Sequence, residues 1–388
     1  MRLLIVFFKN LREMKRDLWL VGLTVFFAPC FVLLYWLFFQ GGATTYKIVI
    51  LNHDAGATLP GGEIFNGGEA IAKAIQSVTY PDGKPLLIAT GAGSMDEVQA
   101  VLRVRGAAAF IEIPQDFSAS LLALKSGDRS AGSQITFGGD LTNPYYMVGV
   151  NLALSGMDRY VMEVTGQKPI IQYVELPLGS SAVRSEFETY VPGVLILSVI
   201  LLIFQAAMMV AREIESGTLI RLQMTPMSAF DLLGGITLAL MLVAVVSLLL
   251  TFATATALGF RSQGSLWVAV LIGACTSLAV IGVGLMVASL TKTVSQAFVV
   301  ANFPMALLMF FSGAIFPMPN VALFTIGSRV IGLYDILPPT HAINALNKVL
   351  TFGTGLKDVS YELGMLVFLS VAYFIAGVFF FQKLQLKH

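Results

Sequence analysis

The feature that most restricts this chain is a set of six long stretches without a charged side chain. Residues 18–39, 190–211, 232–260, 267–290, 297–316 and 363–381 hold no Asp, Glu, Lys or Arg. Each is close to, or above, the roughly 20 apolar residues that carry a helix across a bilayer core. Lipid offers no partner for a backbone N–H or C=O, so such stretches must be helical. The composition agrees. Only 12% of residues are charged and mean hydropathy is +0.80, against about 25% charged in soluble domains. The expected fold class is a mainly α membrane protein: six transmembrane helices plus an inserted α/β extracytoplasmic domain.

Residues 212–228, REIESGTLIRLQMTPMS, form a short polar island between the second and third apolar runs. Glu213 and Glu215 open it, and Gly217 permits a sharp turn. Thr218 can cap a helix of barely two turns that carries Leu219 and Leu222. Thr225-Pro226 then stops it, because the residue before proline is pushed out of the α region. Ser228 and Asp231 have the spacing of a capping box for the next span.

This order of span, glutamate-rich start, Gly-Thr-Leu, short helix and Thr-Pro resembles the coupling helix of type-2 ABC exporter permeases. The resemblance implies that Glu213, Glu215, Gly217, Thr218, Leu219, Leu222, Thr225 and Pro226 couple the chain to a separate ABC ATPase subunit. Leu219 and Leu222 would press into its groove. Glu213 and Glu215 would meet its basic groups or anchor the neighbouring N-terminal helix. Reversing both glutamates to lysine should then uncouple ATP hydrolysis from export without disturbing folding. The plainer alternative is an ordinary loop with charged anchors.

Residues 1–41 hold an amphipathic helix and the first span. Leu4, Phe7, Phe8, Leu11 and Met14 recur at helical spacing among five basic residues, which suits a helix on the membrane surface. A cleaved signal peptide is the rival reading, but its apolar region would be only about 7–15 residues long. Pro29 falls mid-span.

Residues 42–185 change character, with strand-like and helix-like pieces alternating. Strands are expected near 46–51, 86–90, 107–113, 134–137 and 170–176. Helices are expected near 69–78, 94–103, 115–125 and 145–164. This alternation implies an α/β domain large enough to bury its own core. Type-2 permeases with a large extracytoplasmic insert have a strand and Asp-x-Gly turn, matched at Asp54 and Gly56. They also carry strand-Pro-x-Asp-Phe-Ser, matched at Pro114 and Asp116-Phe117-Ser118. Read locally, Asp54 makes a turn and Asp116 caps a helix. His53 reads as a loop residue.

Residues 186–388 form the remaining five-helix region. Ser185 and Glu188 suggest a capping box, with Pro192 in the first turn of the second span. Ser312-Gly313 and Phe316-Pro317 break the fifth span, another point of resemblance. Residues 321–333 are too short to span, so 318–350 is expected to be a re-entrant or interfacial segment. Ten Lys and Arg lie in the short flanks on one side. Arg261, Arg329, Lys348 and Lys357 make four on the other. The positive-inside rule puts both termini and 212–228 in the cytoplasm.

No ionisable residue lies well inside a run, which disfavours a proton-driven carrier. The chain has no Walker A pattern, so ATP would be bound by the partner and no cofactor by this chain. A net charge of +1 gives no case for a nucleic-acid partner. Cys30 and Cys275 read as small buried side chains. Gly273, Gly282 and Gly284 read as sites of close helix contact. Gln205 and Asn302 read first as helix–helix hydrogen-bonding groups. The resemblance makes them candidates for a pathway between two protomers, since it places the second and fifth spans at a dimer interface.

The function implied is the permease subunit of an ATP-driven exporter. It would move a drug-like, amphiphilic or lipid-like cargo out across the cytoplasmic (inner) membrane, as a homo- or heterodimer, with room for an envelope adaptor. It would catalyse no covalent chemistry itself. The alternative is a membrane-anchored envelope binding or assembly protein that works through its extracytoplasmic domain.

Overall fold

The computed structural model describes residues 2–39, 45–59, 61–80, 83–104, 106–128, 130–166, 186–219, 228–316, 321–327 and 329–385. They fall into two units with separate cores, Met1–Phe38 with Pro177–His388, and Phe39–Leu176. The strand expected at 170–176 and Ser185 lie outside the described residues, as do Leu222, Thr225, Pro226 and Pro317.

The first unit begins with α1 (Arg2–Arg16), an amphipathic helix whose packed face is not the one its apolar spacing suggests. Val6, Asn10 and Met14, four residues apart, are buried, while Leu4 and Phe8 are exposed. Asn10 hides the stripe from a hydrophobicity reading. Its amide donates back to the Val6 carbonyl, which lets a polar side chain sit in the seam. Next comes α2 (Leu18–Phe39), with Pro29 inside it. Cys30 is exposed on α2, contrary to expectation, because much of that helix faces outward.

The second unit comprises β1 (Tyr46–Asn52), β2 (Ala57–Thr58), β3 (Ile64–Phe65), α3 (Gly67–Gln76) and β4 (Leu87–Ala92). It continues with α4 (Met95–Arg103), β5 (Ala109–Ile113), α5 (Phe117–Lys125), β6 (Thr136–Gly138) and α6 (Pro144–Thr165). The main sheet has the order β4-β1-β5-β6. β1 pairs in parallel with both neighbours, Tyr46 opposite Leu87 and Ile48 opposite Ala109. β6 closes one edge antiparallel to β5. Ile48, Val49, Ile50 and Leu51 are all buried, as a central parallel strand requires. Ile48 and Ile50 join the core under α3, α5 and α6, with Ile71, Ile75, Leu121 and Met157. Val49 and Leu51 pack on the other face with Val98 of α4. The crossover through α3 therefore lies on one face and that through α4 on the other. β1 and β5 flank the point where the winding reverses.

The rest of the first unit comprises α7 (Glu186–Ile200), α8 (Leu202–Glu215), α9 (Ala229–Ala257), α10 (Leu266–Ser289) and α11 (Val294–Phe311). After these come β7 (Ala322–Ile326), β8 (Arg329–Gly332), α12 (Pro338–Leu346) and α13 (Ser360–Gln385). Among the described residues, α2, α7 with α8, α9, α10, α11 and α13 are the six helices long and apolar enough to cross a membrane. α7 starts before its apolar run does, so Pro192 falls in the second turn, not the first. The segment read as a re-entrant or interfacial hairpin has two different halves. Its first half is an antiparallel β-hairpin, β7–β8, turning through Gly327 at φ +62°. Its second half, α12, is almost entirely buried.

Glycines set the closest helix contacts. A Cβ on Gly282 would run into the backbone of Tyr373 and Phe374, and one on Gly377 into the Gly282 carbonyl. α10 and α13 thus meet backbone to backbone, the arrangement small residues permit where lipid supplies no hydrophobic drive. At the end of α13, Gln385 donates to the Ser289 carbonyl at the end of α10. The ends of α10 and α13 therefore share one end of the bundle with the start of α11.

Candidate functional site: the α8–α9 turn and its anchors

α8 runs about one turn past the end of its uncharged run at Ala211 before stopping. Arg212, Glu213 and Glu215 consequently lie on its final helical turn, not in a loop as expected. Gly217 then turns the chain at φ +68°, and the Thr218 hydroxyl meets that of Ser216 at 2.7 Å. Leu219 is buried within the chain. Across the turn, Ser228 and Asp231 form the expected capping box at the start of α9.

Each charge on this last turn engages a different element. Lys9 of α1 donates to Glu213, which is buried. Arg212 pairs with Asp17 at 2.9 Å. Glu215 accepts from the Val294 N–H at 2.8 Å, placing a carboxylate at the N-terminus of α11, where the helix dipole favours it. Thr293 caps the same helix from within, and Gln296 accepts from the Lys292 N–H. Thr-x-x-Gln was a readable sign of that start. An anchor from the glutamates to the N-terminal helix was one of the roles expected, and Glu213 makes it through Lys9. The link from Arg212 to Asp17 was not readable, since the two lie 195 positions apart. Close packing supports the clasp: a Cβ on Gly235 of α9 would overlap Val6 of α1.

These contacts change how the two glutamates must be read. Both are committed inside the chain, so reversing them would set lysine against Lys9 and uncap α11. That double substitution is therefore expected to disturb folding, contrary to the reading from sequence. Gln205 is 1% exposed and lines a small recess with Asn10, Asp17 and Arg212, inside the protomer. Asn302 is exposed on α11 and donates to the Phe298 carbonyl of its own helix. The structure does not bring the two together on one face.

At the other end of the bundle, Glu188 accepts from the Arg261 N–H; the capping box expected with Ser185 falls outside the described residues. Lys348 pairs with the largely buried Glu362 at 2.8 Å.

In the α/β unit, the crevice beyond β1 and β5 is where ligands bind in open sheets of this winding. Here it holds Asp54. Its carboxylate accepts from the amides of Gly56, Gly68 and Ser118 and from the Ser118 hydroxyl. It thus sits at the N-termini of both α3 and α5. The Ser118 hydroxyl in turn accepts from the Gly67 N–H at 2.7 Å. A Cβ on Gly68 would overlap Asn52 and Asp54, so glycine is needed for this approach. Asp116, expected to cap α5, makes no cap bond and accepts from Ser133 instead. His53 faces Glu112 at 3.6 Å.

Six candidate spans among the described residues, a charge cluster around the buried Glu213 that gathers three helices, and a small α/β unit between the first two spans in sequence suit a multi-pass membrane protein. The family model for ABC-2 family transporter proteins matches residues 15–379. The chain belongs to that family and is a membrane permease of an ABC transporter. No curated protein matches the sequence.

Proposed function

We propose that this chain is the permease subunit of an ATP-driven exporter, working with a separate ABC ATPase and a second permease subunit. The observation that carries the reading is the last turn of α8. Its three charges hold α1, Asp17 and the start of α11, so a push on the α8–α9 turn reaches those elements without slack. Family membership implies the ATPase that would push. The second subunit would pack on the outward apolar face of α11, where Val299 and Phe303 are exposed. The route would open between subunits and release an amphiphilic or lipid-like cargo away from the cytoplasm. The basic flanks support this orientation, with both termini and the α8–α9 turn in the cytoplasm and the α/β unit outside. The chain itself acts as a transport subunit, with ATP bound only by its partner.

Leu222 is the apolar residue left to seat in the ATPase, because Leu219 is already covered. Full-length chain purified in lipid nanodiscs should retain an ATPase, and Leu222→Glu should lose it with expression and tryptic resistance of α1 unchanged. Equal retention by the variant removes Leu222 from the contact. If wild-type chain retains no ATPase, a membrane-anchored assembly protein becomes the better reading.

A further inference from the structure

At the end of the helical unit away from the α8–α9 turn, a cavity of about 290 Å³ lies between α7, the turn after α11, and α12. Among the described residues its wall contains no Asp, Glu, Lys, Arg or His. Its polar side chains are the hydroxyls of Thr189, Ser312, Thr340, Tyr190 and Tyr334 and the carboxamides of Asn344 and Asn347.

Ser312 is 4% exposed and Thr340 is 8% exposed. Neither hydroxyl has a hydrogen-bond partner among the described residues. They differ in this from the hydroxyls of Thr237, Thr251 and Thr276 in the spans, each of which donates to a carbonyl of its own helix. The local backbone explains the difference. Ser312 ends α11, where its N–H continues the helix to Leu308 while its side chain is not used as a cap. Thr340 lies in the first turn of α12, and the carbonyl four residues back, that of Ile336, accepts from the Tyr373 hydroxyl. An unpaired buried hydroxyl is destabilising, yet here two of them face one cavity.

The aromatic rings beside them are fixed. Tyr334 stacks on Phe311 with centroids 5.5 Å apart, and Tyr190 on Tyr35 at 5.2 Å. Hydroxyls and carboxamides both donate and accept, so this wall can match a ligand that does the same. Ring faces suit the C–H faces of such a ligand. An ion would lose its hydration with no opposite charge to meet it. The volume is at the small end of ligand pockets, roughly 300–1,000 Å³, which fits one ring or a short polyol.

We propose that this cavity binds a neutral polyhydroxylated group, a sugar ring or a glycerol unit, presented as a free molecule or as a lipid headgroup. The proposal is independent of the export reading, because binding requires no ATPase.

The test uses full-length chain in phosphatidylcholine nanodiscs and saturation-transfer NMR with methyl β-D-glucopyranoside. Saturable binding is expected, with glucose 6-phosphate giving none. Ser312→Ala/Thr340→Val removes both hydroxyls at nearly constant volume and should weaken binding at least tenfold. Doping the nanodiscs with monoglucosyl diacylglycerol distinguishes the sources: competition identifies a headgroup site, and unchanged binding a site for the free molecule. Should the double variant fail to fold, Asn344→Leu, at an exposed position, is expected to weaken binding instead. The proposal is overturned by no saturable binding of either neutral probe, as when water alone fills the cavity. It is equally overturned by unchanged affinity in the folded variant, or by equal binding of the phosphorylated sugar.

Discussion

A carboxylate surrounded by N–H and O–H donors is most stable in its charged form, and Asp54 has such surroundings. Burial acts to raise its pKa. The donors from Ser118, Gly68 and Gly56 outweigh that and hold it below the ordinary 3.8. Because the folded value is the depressed one, its contribution to stability is complete above the unfolded value and is lost as pH falls through the folded value. Asp54→Asn keeps the shape but turns an N–H₂ toward N–H donors. Hydrogen bonds to charged groups are worth about 1.5–3 kcal/mol, and partial exposure puts the expected loss at the low end. Amide exchange in α3 and α5 should accelerate about tenfold or more at neutral pH, with the acid-side fall in stability flattened. Unchanged exchange would remove Asp54 from its capping role. Little of this was visible in the sequence. The turn to Gly56 is local and could be read, whereas the bond from Ser118 spans 64 positions. Asp116 looked like the cap of α5 only because nothing nearby competed for the role.

The element most open to test is α1. Lys9 and Glu213 form a pair with one buried partner, and leaving such a carboxylate unpaired is costly while the pair itself adds only modestly. Glu213→Lys should loosen α1, read as faster tryptic cleavage after Arg12 and Lys15. Combining it with Lys9→Glu should recover part of the protection, with a coupling of about 1 kcal/mol. Equal cleavage in all three proteins would show that α1 is held by Val6 and Met14 alone. The spans themselves were readable, because an uncharged run of bilayer length admits one backbone solution. Ser228 and Asp231 were readable because a capping box is complete within four residues. The β7–β8 hairpin was not. Its apolar run is too short for a span, and length excludes that fold without selecting another. Only Gly327, at the turn, carried a sign of a reversal.

At the scale of the bundle, the ends of α8, α10 and α13 lie at the same end as α1. Tags at either terminus should be protected in sealed right-side-out vesicles. A cysteine replacing Asp128, an exposed residue of the α/β unit, should be labelled from outside. Labelling of Asp128→Cys only after permeabilisation would reverse the orientation. A crosslink between subunits is expected from a cysteine at Phe303 and not from one at Gln205, which is buried in its own protomer.

The two units have separate cores, and this bears on cooperativity. The α/β unit buries its apolar side chains away from water. The bundle is held by helix packing in a solvent as apolar as its own side chains. Denaturant and acid act chiefly on the first and far less on the second. A single free energy of unfolding is therefore not defined for this chain. Substitutions in one core and in the other should combine additively, since each unit packs a core of its own. Damage to the α/β unit, such as loss of the Asp54 contacts, can accumulate while the membrane bundle stays folded.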